Sequence, residues 1–451
     1  MEKNNMYKIR YSKAPPSGGG GGIYNYSDLT KQDISKLVQR NVDPAHEIRD
    51  IVEEILARVK LHGDDALYDL TLKFDNLLLD KLYLNKTELT QLAEGVSAEQ
   101  KAALDTAYKN IYAFHKTQLK TEDKVETMPG VTCWRETRPI EKVGLYIPGG
   151  TAVLPSTMLM LGIPARIAGC HEIVVCTPPQ KDGKVNPFIA YVALLLGIDT
   201  IYLAGGAQAI GAMAYGTHTI PKTDKIFGPG NQFVTKAKTI IQSTTTTAID
   251  MPAGPSEVLV IADETANPVY VAADLLAQAE HGIDSQAILV TNSASIAQQT
   301  IKELEKQLPL LPRAEIAAKA IENSYIVITN NLDEAMDFSN QYAPEHLILA
   351  TANWQPHTEN IINAGSVFLG NLTPESAGDY ASGTNHTLPT SSYARAYSGV
   401  SVDSFVKKVT FQHITSEGIK NIGPTVEVLA ELEGLMAHKN AVTLRLSPLT
   451  P

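Results

Sequence analysis

The period of the apolar positions changes near residue 142 of this 451-residue chain. Upstream, they recur at helical spacing. Ile48, Ile51, Val52, Ile55 and Val59 share one face, and Leu104, Ala107, Tyr108, Ile111 and Phe114 form a second stripe. Ser97 and Gln100 have capping-box spacing, which predicts a helix over 98–119. Downstream, short apolar runs alternate with helical windows. The runs are Val143–Ile147, Ile173–Thr177, Thr200–Ala204, Lys225–Phe227, Glu257–Ala262, Ala287–Thr291, Tyr325–Thr329, Leu347–Ala350 and Ser366–Leu369. This alternation predicts parallel sheets, and the runs are too many for one modest sheet. The pattern therefore predicts an α/β fold with two Rossmann-like parallel-sheet domains and an N-terminal helical segment. Met251-Pro252-Ala253-Gly254-Pro255 reads as the crossing between the domains. From Pro374 through 401 the chain is polar and rich in Gly and Ser, and a helical end follows at 424–446. Residues 1–27, with Pro15-Pro16-Ser17 and Gly18 to Gly22, read as a flexible segment outside the fold.

Charge and composition narrow the function. The formal net charge of -11 argues against a nucleic-acid or anionic-membrane surface. No apolar run reaches the ~18 residues that a bilayer demands. The N-terminus lacks a signal-peptide apolar region, so a soluble cytoplasmic protein is expected. Cys133, Cys170 and Cys176 are an odd number without metal-thiolate spacing, which suits a reducing compartment.

Two kinds of candidate chemistry remain. Glycine clusters follow predicted strands at Pro148-Gly149-Gly150, Gly205-Gly206-Ala207-Gln208 and Gly228-Pro229-Gly230-Asn231. Such turns let backbone N–H groups approach phosphates at a helix N-terminus. None matches G-x-G-x-x-G, and each is also an ordinary tight βα turn. Together they make a nucleotide plausible. The second kind is polar. Gln278 and His281 share a face if the helix opened by Asn267-Pro268 runs to Gly282, and an amide oxygen with an imidazole suits a zinc-class cation. The same spacing fits a solvated helix face. Asp379, His386 and His438 have equally bland readings as an Asx-turn, a loop residue and a helix C-terminal histidine. Glu345 and His346 precede an apolar strand, where α/β sheets place ligands. On an ideal strand they point to opposite faces, so joint action requires a bend there.

These neighbourhoods carry a resemblance. Gly144-Leu145-Tyr146-Ile147-Pro148-Gly149-Gly150, Gly205-Gly206-Ala207-Gln208, Gly228-Pro229-Gly230-Asn231, Ala253-Gly254-Pro255-Ser256-Glu257, Gln278-Ala279-Glu280-His281-Gly282, Ala343-Pro344-Glu345-His346-Leu347 and Ala437-His438-Lys439-Asn440 follow one another in family order. The chain resembles the histidinol dehydrogenase family. The resemblance implies a homodimer that needs zinc and NAD and oxidises L-histidinol to L-histidine through L-histidinal. It implies Gln278, His281, Asp379 and His438 as zinc ligands, with His438 supplied by the partner subunit. It implies Glu345 and His346 as the acid/base pair, and Ser256, His386 and Glu433 as further substrate contacts. Tyr146, Gln208 and Asn231 match its NAD contacts. The expected organisation is 28–141 plus 253–395 as one domain and 142–252 as the nucleotide domain. A C-terminal tail of 396–451 would exchange across the dimer.

The expected chemistry divides between these groups. His346 titrates near working pH and suits the alcohol proton; Glu345 suits activation of water at the aldehyde. Zinc would orient substrate rather than make hydroxide. A thiohemiacetal at Cys170 or Cys133 is a competing route for the second step. Two rival classes are a zinc hydrolase, which needs no glycine turns, and a two-lobed binding protein, which needs no acid/base pair.

Overall fold

The computed structural model describes residues 22–40, 46–149, 154–252 and 254–447. Gly18 to Gly21, Gly150 and Ala253 lie outside the described residues. In chain order the strands are β1 (Ile23–Asn25), β2 (Tyr83–Asn85), β3 (Val125–Met128), β4 (Val131–Pro139), β5 (Lys142–Tyr146), β6 (Glu172–Thr177), β7 (Thr200–Leu203), β8 (Lys225–Phe227) and β9 (Ala248–Ile249). They continue with β10 (Glu257–Ala262), β11 (Gln286–Thr291), β12 (Ile326–Ile328), β13 (His346–Ala350), β14 (Ser366–Leu369) and β15 (Val406–Ile414). Every run picked out by periodicity is a strand.

They form two six-stranded sheets and one of three strands. The first runs β2-β7-β6-β5-β8-β9, parallel except for β2 against β7. The second runs β1-β12-β11-β10-β13-β14, parallel throughout. Each has a central strand from which the chain winds first one way and then the other. That reversal makes a crevice beside β5 and β8 in one sheet and beside β10 and β13 in the other. The interior strands β10, β11 and β13 are buried on both faces, as near-continuous Val/Ile/Leu runs require.

Three features depart from the sequence reading. First, Ile23–Asn25 belongs to the fold. It pairs with β12, and Tyr24 is buried edge-on to Tyr325 at 6.1 Å. Three residues beside a glycine tract carry too little periodicity to be read as a strand. Second, the helices His46–His62, Asp64–Asp75, Lys86–Ala93 and Ala98–Lys116 do not pack with the 253–395 sheet. Val52, Leu56, Val59, Leu67, Leu89 and Ile111 join the core of Leu145, Val175 and Ile210 on the 142–252 side. An apolar stripe says that a helix buries a face, not which sheet receives it. The described segment 22–40 goes with the other sheet, through Tyr24, Tyr26, Ile34 and Leu37. Third, residues 406–414 are a strand. Val406 to Ile414 pair with Pro139 to Val131, and β3 completes an antiparallel sheet. Most of this strand is exposed, so it has no apolar run to betray it. The helices Ser416–Leu432 and Met436–Leu446 follow and pack on each other.

Local signals elsewhere act as written. Ser97 Oγ accepts from Gln100 N–H (3.2 Å), and Gln100 Oε1 accepts from Ser97 N–H (2.9 Å), closing the capping box.

Candidate active site

Glu345 and His346 sit at the amino end of β13, beside the amino end of β10 where Ser256 and Glu257 lie. This is the edge opposite the strand carboxyl ends, so the usual location rule for open α/β sheets does not apply to this lobe. The bend needed to aim both side chains together is present. Ala343 has φ +54, a left-handed residue that ends the helix Leu332–Tyr342 and turns the chain into β13. Both side chains then reach one residue. Glu257 N–H donates to Glu345 Oε2 (2.9 Å), and His346 Nδ1 lies 3.1 Å from Glu257 O. A carbonyl oxygen only accepts, so Nδ1 carries the proton and donates. That leaves Nε2 facing Asp379 Oδ1.

Glu257 is itself fixed. Its buried carboxylate accepts from Arg40 Nε and from Ser391 N–H, both at 2.9 Å. The Arg40 guanidinium stacks 3.4 Å from the Tyr342 ring centroid.

Around His346 lie three more carboxylates. Glu345 Oε2 and Glu375 Oε1 are 3.6 and 3.8 Å from Nδ1, and Asp379 Oδ1 is 3.4 Å from Nε2. Burial pushes Glu345 and Glu375 each up to about 8. Burial opposes charge on His346, but Glu375, Glu345 and Asp379 together outweigh it and raise its pKa well above the ordinary value. Burial likewise raises Asp379, yet His346 and the other histidines outweigh that and lower it.

One donor atom each from His281, Glu375 and Asp379 falls within 4.8 Å of the others. Gln278 is on the last turn of the helix Pro268–Ala279, 1% exposed, with neither side-chain polar atom partnered. The expected helix to Gly282 stops earlier: His281 lies in the turn beyond it, its N–H bonded to Gln278 O. An orphaned buried amide beside clustered nitrogen and oxygen donors fits a zinc-class cation. Glu375 was missed from sequence. It opens the six-residue helix Glu375–Tyr380, four residues before Asp379, so both face one side. Pro374 before an acidic first turn was the available signal.

The remaining expected residues divide. His386 joins the two lobes: Nδ1 is 2.9 Å from Asp379 O and Nε2 is 3.0 Å from Thr157 Oγ1. Ser256 is half-buried at the start of β10. Glu433 and His438 are exposed on the C-terminal helix pair and are not drawn into the cluster within this chain. Tyr146 ends β5, and its buried hydroxyl accepts from Gly206 N–H (3.0 Å). Gln208 is buried in the first turn of the following helix. Asn231 caps the helix Gln232–Thr244, its Oδ1 accepting from Phe233 and Val234 N–H at 3.1 and 3.2 Å. All three stand at the carboxyl end of the first sheet, Tyr146 and Asn231 on either side of its switch point and Gln208 beyond β7, two strands away.

The thiol route has no support. Cys170 and Cys176 are buried in the core, which raises both thiols, Cys170 to about 11. Cys133 is on β4, paired with β3 and β15.

A buried carboxyl–imidazole pair beside clustered metal-type donors, with a second lobe wound like a dinucleotide binder, suits an α/β oxidoreductase. Residues 38–446 match the histidinol dehydrogenase family model. Histidinol dehydrogenase of Bacteroides thetaiotaomicron is 55% identical over 93% of this chain and 98% of that protein. The chloroplastic histidinol dehydrogenase of Arabidopsis thaliana is 53% identical over 94% of this chain and 91% of its own length. The crystal structure of histidinol dehydrogenase from Elizabethkingia anophelis superposes with TM-score 0.91 at 53% identity, covering 96% of this chain and 99% of that one. The chain belongs to the histidinol dehydrogenase family.

Proposed function

We propose that the chain catalyses the NAD-dependent oxidation of L-histidinol to L-histidine through L-histidinal, in the cytoplasm, as a homodimer with shared sites. The observation that carries this is the shared anchoring of Glu345 and His346 on Glu257, beside the His281–Glu375–Asp379 donors. Gln278, His281 and Asp379, with His438 of a second copy, would hold zinc. When bound, zinc supplies a fixed anchor for the substrate's imidazole and amine, and its charge offsets the carboxylates crowding His346.

His346 keeps its Nδ1 proton on Glu257 O and offers Nε2 to the alcohol proton as hydride leaves. Glu345 holds Glu257 N–H through Oε2 and offers Oε1 to the water that adds to the aldehyde. Once His346 has passed that first proton to solvent it accepts the hydrate proton, and a second hydride leaves to a second NAD. Tyr146 fixes the Gly206 turn, and Gln208 and Asn231 would meet NAD at the carboxyl end of the same sheet. The bonds that His386 makes to both lobes support a role in setting substrate against cofactor.

The dimer is supported by the tail. Val428, Leu429, Leu432 and Met436 are exposed along the C-terminal helices, with Leu432 78% exposed. Apolar rows of this kind ask for cover. A tail lying on a second copy would carry Glu433 and His438 to that copy's site.

The test is a progress curve with purified protein, zinc, histidinol and NAD. Two NADH per histidinol consumed is the expected stoichiometry. One NADH removes the aldehyde step; none favours a zinc hydrolase.

A further inference from the structure

We propose that the buried Lys238–Asp250 ion pair is the positioning device of the nucleotide loop and sets the affinity for NAD. The inference rests on the NAD reading above. The two side chains are 4% and 1% exposed and form a direct ion pair. A buried charge pair is no packing necessity, since apolar residues of similar size serve as well or better. This one grips a single glycine from both sides. Gly228 N–H donates to Asp250 Oδ2 (2.9 Å), and Lys238 Nζ donates to Gly228 O (3.0 Å). Asp250 Oδ1 also accepts from Met251 N–H (2.8 Å), which ties the grip to the chain leaving β9.

Gly228 requires such a grip. Its φ is +132, and a Cβ there would lie 2.2 Å from Tyr146 O. Glycine is the residue that allows this close approach to the end of β5, yet glycine is also the least self-ordering residue. The loop it opens, Gly228-Pro229-Gly230-Asn231, leads into the helix that Asn231 caps. With both polar groups of Gly228 taken by fixed charges, the loop stands in one conformation before any ligand arrives. Binding then avoids the cost of ordering it. Lys238 and Asp250 thus act through the peptide rather than on the cofactor.

The test replaces the pair by apolar residues, K238M/D250L, so that no lone buried charge remains. The expected variant folds with wild-type melting temperature and zinc content and keeps its KM for histidinol. Its Kd and KM for NAD rise by about tenfold, through lost preorganisation. A folded double variant with wild-type NAD affinity overturns the proposal. So does a parallel loss of zinc, histidinol and NAD affinity, the mark of a merely structural pair. Amide hydrogen exchange on the wild-type protein is an independent arm. Without NAD, Gly228 N–H should exchange as slowly as β8; fast exchange that slows only on adding NAD overturns the pinned loop. Wild-type protein that binds no NAD at all overturns the cofactor reading, and this inference with it.

Discussion

At His346 the two ring nitrogens stand in different surroundings, Nδ1 on Glu257 O and Nε2 towards Asp379. Nδ1 is spent on Glu257 O, so the side chain's orientation and tautomer are set by β10 rather than by β13. His346→Ala should therefore leave the metal donors in place and remove only the proposed base. We expect zinc content near wild type and turnover down by about 10²–10⁴-fold. Metal analysis with steady-state kinetics checks this, and wild-type turnover by zinc-loaded H346A would remove the base assignment. The buried acids make a second prediction, for metal-free protein. Glu345 and Glu375 rise from 4.5 to about 8 on folding. The folded state holds these protons more tightly than the unfolded chain. Their stabilising contribution is full below 4.5 and is lost as pH rises through about 8. Denaturant titrations of metal-free protein across this window should give stability falling with pH, and a shallower slope for E345Q. An equal slope in E345Q would assign the effect elsewhere. Sequence exposed His346 and Asp379 through their neighbours, but not Glu375. Its helix is too short for periodicity, and its importance comes from facing His346, a neighbour distant in the chain.

At the scale of elements, the helix Pro268–Ala279 separates folding from function along its length. Asn267 Oδ1 accepts from Val269 N–H (3.0 Å) at its start, and Gln278 stands at its end. Asn267→Ala should cost about 1 kcal/mol of stability. Zinc affinity at the far end should be unchanged. Denaturation and zinc titration on the same variant measure both; a matching loss of zinc affinity would mean that the whole helix, not its last turn, sets the ligands. Caps, proline starts and apolar strand runs were legible because their causes lie within a few residues. β1, β2 and β9 were not: each is a two- or three-residue edge strand without the buried run of an interior one. β15 was hidden because its polar faces are mostly exposed, and its partner β4 lies far upstream.

At the scale of the molecule, the prediction concerns sharing. If His438 serves a second copy, H346A and H438A damage different contributions to a site. Each alone should be inactive. Unfolding and refolding them together should restore turnover, because a mixed dimer contains one site free of both changes. No recovery in mixed dimers identified by mass would confine the site to a single chain. Whole-molecule organisation was the least legible level. The helices of 46–116 were assigned to the wrong lobe, because neighbours in sequence need not be neighbours in space.

The sequence by itself determined the α/β class, the strand cores, the glycine turns and the residue types that carry the chemistry. These depend on local periodicity, backbone freedom and side-chain functional groups, which are properties of short segments. Only the tertiary structure decided that Glu345 and His346 share Glu257, that Glu375 joins Asp379 and His281, and that a buried ion pair holds Gly228. Those relations depend on burial and on contacts between distant segments. A carboxyl group is ordinary in water and becomes a proton-holding group near pH 8 only when the fold removes its solvent.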